Sequence, residues 1–140
     1  MKTVSFSIFK GGTGKTTSTV SAAAALVKKG KKVLIVDLDQ QASATRYLDI
    51  DPEQNPSLYE VFLGAKSAQT AIRKTKSGID ILPSHVLLAA IEEALEPGDE
   101  LKLAAILNPL KQQYDFILID TPPGKAMLAF NGLAAADLIV

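Results

Sequence analysis

Three short stretches hold the residue types that could do chemistry. The first, Lys10-Gly11-Gly12-Thr13-Gly14-Lys15-Thr16-Thr17, sets two lysines and three threonines around a glycine-rich turn. Glycines let backbone N–H groups close around an anion without Cβ clashes, and the first turn of a following helix adds donors and a positive dipole end. Such a turn is a phosphate cradle. Lys15 would supply a point charge for β- and γ-phosphates, and the Thr16 hydroxyl would ligate Mg²⁺. A strict P-loop, GxxxxGK(S/T), asks for glycine at position 9, where this chain has Phe9.

The other two stretches supply carboxylates. Asp37-Leu38-Asp39-Gln40-Gln41 follows the apolar run Val33–Val36, and Asp120 closes the run Phe116–Ile119. Phosphoryl transfer needs an in-line nucleophile and charge stabilisation more than a strong base, so one carboxylate at the γ-phosphate side can orient the attacking water. Asp39 is the candidate for that role, and Asp37, two residues away along an extended segment, is its competitor. An aspartate ending an apolar strand well downstream of a phosphate cradle is the Walker-B arrangement, which places Asp120 to hold Mg²⁺ opposite Thr16. The bland alternative for Asp120 is a strand-end carboxylate that caps the next turn.

Parallel strands and helices must carry these groups to one rim. Residues 3–9 read as a buried strand, and the stretch from Lys15 to Lys29 as a helix with Val20, Ala23, Ala24 and Val27 on one face. Gly30 suits the helix end, where Lys28 and Lys29 meet the dipole. Val33–Val36 is an unbroken apolar run, as in a strand covered on both faces. Carboxylates just past the carboxyl end of such strands lie where ligands bind in open α/β sheets. Ser57 and Glu60 form a capping box for a short helix Leu58–Leu63. A second short helix is expected over Ala68–Lys74, a strand over Ile79–Leu82, a helix over Leu87–Leu95, and a longer one over Leu101–Gln113 that Pro109 bends or restarts. Phe116–Asp120 is a strand, Met127–Ala135 a helix, and Asp137–Val140 begins a further strand. Tyr47, Tyr59, Phe62 and Tyr114 read as core or helix packing. His85, the single histidine, reads as a surface or capping group, and Arg73, Lys74 and Lys76 as a solvated helix end.

Composition narrows the classes. The chain has 140 residues, 47% of them hydrophobic, enough for one α/β core. Fifteen basic and fifteen acidic residues cancel, so no global field argues for nucleic acid or an anionic membrane. With no cysteine, disulfide frameworks and thiolate-bound metals are excluded. No secretory signal or membrane-spanning run is visible, so the expectation is a cytoplasmic protein with no membrane partner.

Together these strings resemble the deviant Walker-A ATPases of the ParA/MinD family, whose loop reads KGGxGKT(T/S). The resemblance extends along the chain. Pro56-Ser57-Leu58-Tyr59-Glu60-Val61-Phe62-Leu63-Gly64 is similar to the ParA segment PSLYDVLLG, and Asp80-Ile81-Leu82-Pro83-Ser84 to DILPS. Tyr114–Pro123 is similar to YDYILIDTPP, and Asn131–Asp137 to NALxAAD. Gln40 stands where the family's DxDPQ has proline, and Gly124-Lys125 where Ser-Leu is usual. The resemblance implies a three-layer, doubly wound, mostly parallel α/β sheet of the P-loop NTPase type. Its first strand would lie between the Walker-B strand and the one starting at Asp137. Residues 1–140 would be a single ATPase domain, the N-terminal portion of a longer family domain, truncated after the start of about the fifth strand.

The same resemblance implies ATP and Mg²⁺ as cofactors. Lys10, Gly11, Gly12, Thr13, Gly14, Lys15, Thr16 and Thr17 would bind nucleotide, Lys10, Lys15 and Asp39 would be catalytic, and Thr16 and Asp120 would hold the metal. The second aspartate of DxDPQ lies in the first switch region, which favours Asp39 over Asp37. Lys10 would cross an ATP-dependent homodimer to reach the partner's phosphates; losing a donor of that kind costs roughly 2.7–4 kcal/mol. The implied role is slow ATP hydrolysis in plasmid or chromosome segregation with a ParB-type centromere-binding partner. A full-length relative would also bind non-specific DNA and associate with the nucleoid. A MinD-like division-site ATPase and a non-catalytic nucleotide-binding remnant are the alternatives.

Overall fold

The run Val33–Val36 becomes the most deeply buried strand of the sheet, and its alternation assigns the layers. The computed structural model describes residues 1–7 and 14–140, so Lys10, Gly11, Gly12 and Thr13 of the expected cradle lie outside the described residues. Strands β1 (Lys2–Phe6), β2 (Val33–Asp37), β3 (Arg73–Lys74), β4 (Asp80–Leu82), β5 (Phe116–Asp120) and β6 (Leu138–Ile139) form one sheet in the order β3-β4-β2-β5-β1-β6. All neighbours pair in parallel except β3 with β4. As expected, β1 sits between β5 and β6. The registry sets Asp120 opposite both Phe6 and Asp37, so the two aspartates share one rim.

Each face of the sheet has its own core, as a period of two demands. Val33, Ile35, Ile81, Leu118 and Phe6 face α1 (Lys15–Lys28), where Val20 and Ala23 meet them. Leu34, Val36, Leu82, Ile117 and Ile119 face the opposite layer. That layer contains α3 (Leu58–Phe62), α4 (Ala68–Ala71), α5 (Leu88–Ala94), α6 (Lys102–Leu107) and α7 (Met127–Ala135). Burying one such aliphatic side chain contributes roughly 1.5–3 kcal/mol.

Several local expectations hold. Ser57 Oγ accepts from Tyr59 N–H at 3.1 Å while Glu60 Oε1 accepts from Ser57 N–H at 2.9 Å, completing the capping box. A 3₁₀ turn, Asn108–Leu110, follows α6, restarting the chain at Pro109, which cannot donate an N–H. His85 Nδ1 accepts from Leu87 N–H at 3.0 Å, a capping role. Tyr114 is buried and donates to Asp80 at 2.8 Å.

Others change. The helix expected over Ala68–Lys74 stops at Ala71, because Arg73 and Lys74 pair with Ile81 and Asp80 as the antiparallel edge strand β3. Arg73 is held there by Gln54 Oε1 at 2.8 Å and the Pro56 carbonyl at 3.0 Å, so it is no solvated helix end. A short helix α2 (Ser43–Tyr47) appears where none was expected, and it leaves Tyr47 61% exposed rather than in the core. Ala24 is exposed on α1, where Val20, Ala23 and Val27 carry the packing.

Candidate functional site

Helix α1 begins in the manner the cradle requires. Gly14, its N-cap, has φ 77°, a left-handed conformation that glycine adopts without strain, and among the described residues no side chain caps the helix start. The first turn contains no acidic residue of its own, and the negative charge its positive end meets comes from another element, strand β5. From that turn Lys15 and Thr16 reach the same carboxylate. Lys15 Nζ pairs with Asp120 Oδ1, and Thr16 Oγ1 donates to Asp120 Oδ2 at 2.8 Å. Asp120 is fully buried at the end of β5. Burial raises its carboxyl above the ordinary range; Lys15 and Thr16 pull it back, and Asp39 pushes it up again.

The two aspartates at the carboxyl end of β2, Asp37 closing the strand and Asp39 just beyond it, have different surroundings. Asp37 is fully buried and both its oxygens are engaged: Oδ1 accepts from Asp39 N–H at 3.1 Å, and Oδ2 from Thr45 N–H at 3.0 Å and Thr45 Oγ1 at 2.7 Å. It therefore caps α2 from outside the helix and holds the connecting loop. Burial, with Asp120 beside it, raises its carboxyl to about 7 despite these donors. Ser84 fastens the same loop, donating its N–H to Thr45 Oγ1 at 3.0 Å and its hydroxyl to the Asp39 carbonyl at 2.5 Å. The turn is tight enough to put buried Ala42 at φ 56°, a left-handed conformation that costs a non-glycine residue roughly 1–2 kcal/mol. What this scaffold presents is Asp39, whose Oδ1 accepts from Gln41 N–H at 2.9 Å and which lines the neighbouring cleft.

That cleft has a volume of about 610 Å³, within the usual range for a small-molecule site. Gly14 to Thr17 form one wall, Asp39 to Gln41 and Ser43 a second, and Glu92 with Pro122, Pro123 and Ala126 a third. Magnesium takes six oxygens in octahedral array, keeps several waters and uses one or two protein oxygens beside substrate phosphates. The donor set fits: Thr16, which lines the cleft, has its hydroxyl within hydrogen-bond reach of the buried Asp120 carboxylate. Among the described residues no three His, Cys, Asp or Glu gather into an all-protein cage.

Of the expected site residues, the structure thus brings Gly14, Lys15, Thr16, Thr17, Asp39 and Asp120 together, while Lys10 to Thr13 fall outside the described residues. Thr45, Ser84 and Glu92 escaped the sequence reading. Glu92 left one faint sign, since Ala126 offers the start of α7 no cap of its own. Nothing local says which carboxylate replaces it. Among the described residues no helix is long and apolar enough to cross a membrane.

Residues 1–140 match the family described as AAA domain. A "ParA family protein" of Chlamydia muridarum is 38% identical over 143 aligned residues, covering 98% of this chain and 56% of that protein. The crystal structure of cobyrinic acid a,c-diamide synthase from Mycobacterium smegmatis, with bound ATP analog and magnesium, superposes with a TM-score of 0.94 at 37% identity. It covers 99% of this chain and 58% of its own. A plasmid partition protein from Borrelia burgdorferi superposes with a TM-score of 0.88 at 30% identity, over 99% of this chain and 63% of its own. The chain thus spans a little over half the length of the curated relative.

Proposed function

Because the chain belongs to the AAA-domain family and, within it, to the ParA-type proteins, we propose that it binds ATP with magnesium and hydrolyses it slowly as a partitioning ATPase. One observation carries the chemistry: Lys15 and Thr16, which line a cleft of nucleotide size, converge on one buried carboxylate, that of Asp120. Relatives bearing different names share this arrangement's fold, so partition itself rests on the ParA-type match and on the partition protein's likeness.

In this reading the backbone N–H groups of residues 11–17 and the Lys15 ammonium bind the phosphates. Thr16 and Asp120 hold magnesium, which supplies charge neutralisation across the β- and γ-phosphates. Asp39 orients the attacking water, while Asp37 keeps the loop that carries Asp39 in place. The division follows from hydrogen bonding: Asp37 has both oxygens committed to Asp39 and Thr45, whereas Asp39 is turned to the cleft. Lys10 acts on the partner's nucleotide in an ATP-dependent homodimer, and a ParB-type protein and DNA are the other partners. Cytoplasmic, nucleoid-associated action belongs to the same proposal.

Phosphate release with Mg-ATP tests it. Lys15→Ala should abolish release, and Asp39→Ala should keep nucleotide binding while lowering release roughly 10²-fold or more. Turnover that survives Lys15→Ala would refute the enzyme assignment, and binding without turnover in the wild type would leave a non-catalytic nucleotide-binding module.

A further inference from the structure

Helix α7 starts without a cap of its own, since its N-cap residue is Ala126, whose side chain accepts nothing. The acceptors come from another helix. Glu92 of α5 takes the Met127 N–H on Oε2 at 2.7 Å and the Leu128 N–H on Oε1 at 2.9 Å. Both carboxylate oxygens are thereby used, and the helix dipole offsets their charge. Glu92 also lines the cleft.

These bonds fasten one end of the segment Thr121–Ala126. The other end is fastened by Thr121, whose Oγ1 donates to the Phe6 carbonyl at 2.7 Å. Between the two ties the chain turns at Gly124, with φ 83°, and presents Pro122, Pro123 and Ala126 to the cleft. So short a segment between two ties takes its position from them. It follows Asp120 directly, which places its wall at the metal-binding and water-orienting end of the cleft, beside Asp39, where a terminal phosphate would lie.

We propose that Glu92 is a positioning residue: acting through the backbone of Met127 and Leu128, it fixes the segment Thr121–Ala126 as the terminal-phosphate wall and so sets how strongly the cleft prefers a triphosphate to a diphosphate. The inference rests on the nucleotide reading above. A side chain that only stabilised the fold would change both affinities together, whereas a positioning residue changes their ratio.

The test is the affinity of the 140-residue chain for fluorescently labelled ATP and ADP with magnesium, in the wild type and in three variants. Glu92→Ala removes both acceptors and should lower the ATP-to-ADP affinity ratio roughly fivefold, the equivalent of one lost helix cap. Glu92→Gln keeps the reach and one acceptor oxygen, and should recover part of the ratio. Glu92→Asp is one methylene too short to meet both N–H groups and should behave like Glu92→Ala. A ratio unchanged in Glu92→Ala, or an equal gain or loss for both nucleotides, overturns the role of Glu92 alone. A wild-type chain that binds neither nucleotide overturns the nucleotide reading, and this inference falls with it.

Discussion

Replacing Lys15 with alanine should expose a structural debt as well as a functional one. The Lys15 side chain is 9% exposed and that of Asp120 0%, so the pair is buried. Without Lys15, Asp120 keeps the Thr16 hydroxyl as a donor while burial and Asp39 still oppose its charge. Deleting one partner of a buried pair costs about 3–5 kcal/mol. Protonation bounds that cost. The Asp120 carboxyl already lies above its ordinary 3.8, and removing the largest influence that lowers it drives it further up. A group whose folded-state value is raised contributes stability that is complete below the unfolded value and is lost as pH rises through the folded one. The gap between wild type and Lys15→Ala should therefore be small near pH 4 and grow to about 3 kcal/mol by pH 8. Urea unfolding followed by circular dichroism, in metal-free buffer, reads it directly. The double variant Lys15→Ala/Asp120→Asn should recover most of the loss at pH 8, because asparagine can still accept from Thr16 and carries no charge. If Lys15→Ala unfolds with the wild type at pH 8, or the gap is the same at both pH values, Lys15 is not what holds Asp120 in place.

Two further outcomes follow from neighbouring residues. With its carboxyl raised from 3.8 to about 7, Asp37 favours the native state below pH 4 and loses that contribution as pH rises through 7. At about 1.36 kcal/mol per unit the loss is on the order of 4 kcal/mol. Asp37→Asn should flatten the stability-versus-pH curve over that window, and a curve parallel to the wild type would contradict the assignment. Gly132 faces the segment after β5 so closely that an added Cβ would stand 2.5 Å from Thr121 Cγ2 and 3.1 Å from Leu38 Cδ1. Gly132→Ala should cost about 1–3 kcal/mol in thermal or urea unfolding. An unchanged midpoint would mean that α7 does not pack as described.

The candidate site was legible to the extent that its parts are contiguous. Gly14 to Thr17 lie side by side in the chain and together line the cleft, and an apolar run ending in aspartate announces both a buried strand and a rim position. Ser57 and Glu60 pair legibly because the two members of a capping box stand three positions apart. The short helix α2 escaped because its N-terminal support comes from Asp37, on a strand, and not from a residue beside it. Arg73 and Lys74 were misplaced for a similar reason: a two-residue strand exists only through its partner, here Ile81 and Asp80.

From sequence alone came the expectation of phosphate-binding chemistry, the parallel strands that frame the cleft and the family resemblance, all carried by short-range spacing and hydrophobic period. Only the folded chain showed that Asp37 has both oxygens committed to Asp39 and Thr45 while Asp39 lines the cleft, since two carboxylates on one extended segment differ in which distant donors meet them. It alone joined Glu92 to α7, because a hydrogen bond between groups far apart in sequence leaves no periodic trace. Burial then decided what each charge does, by removing the water that would otherwise make every aspartate at that rim alike.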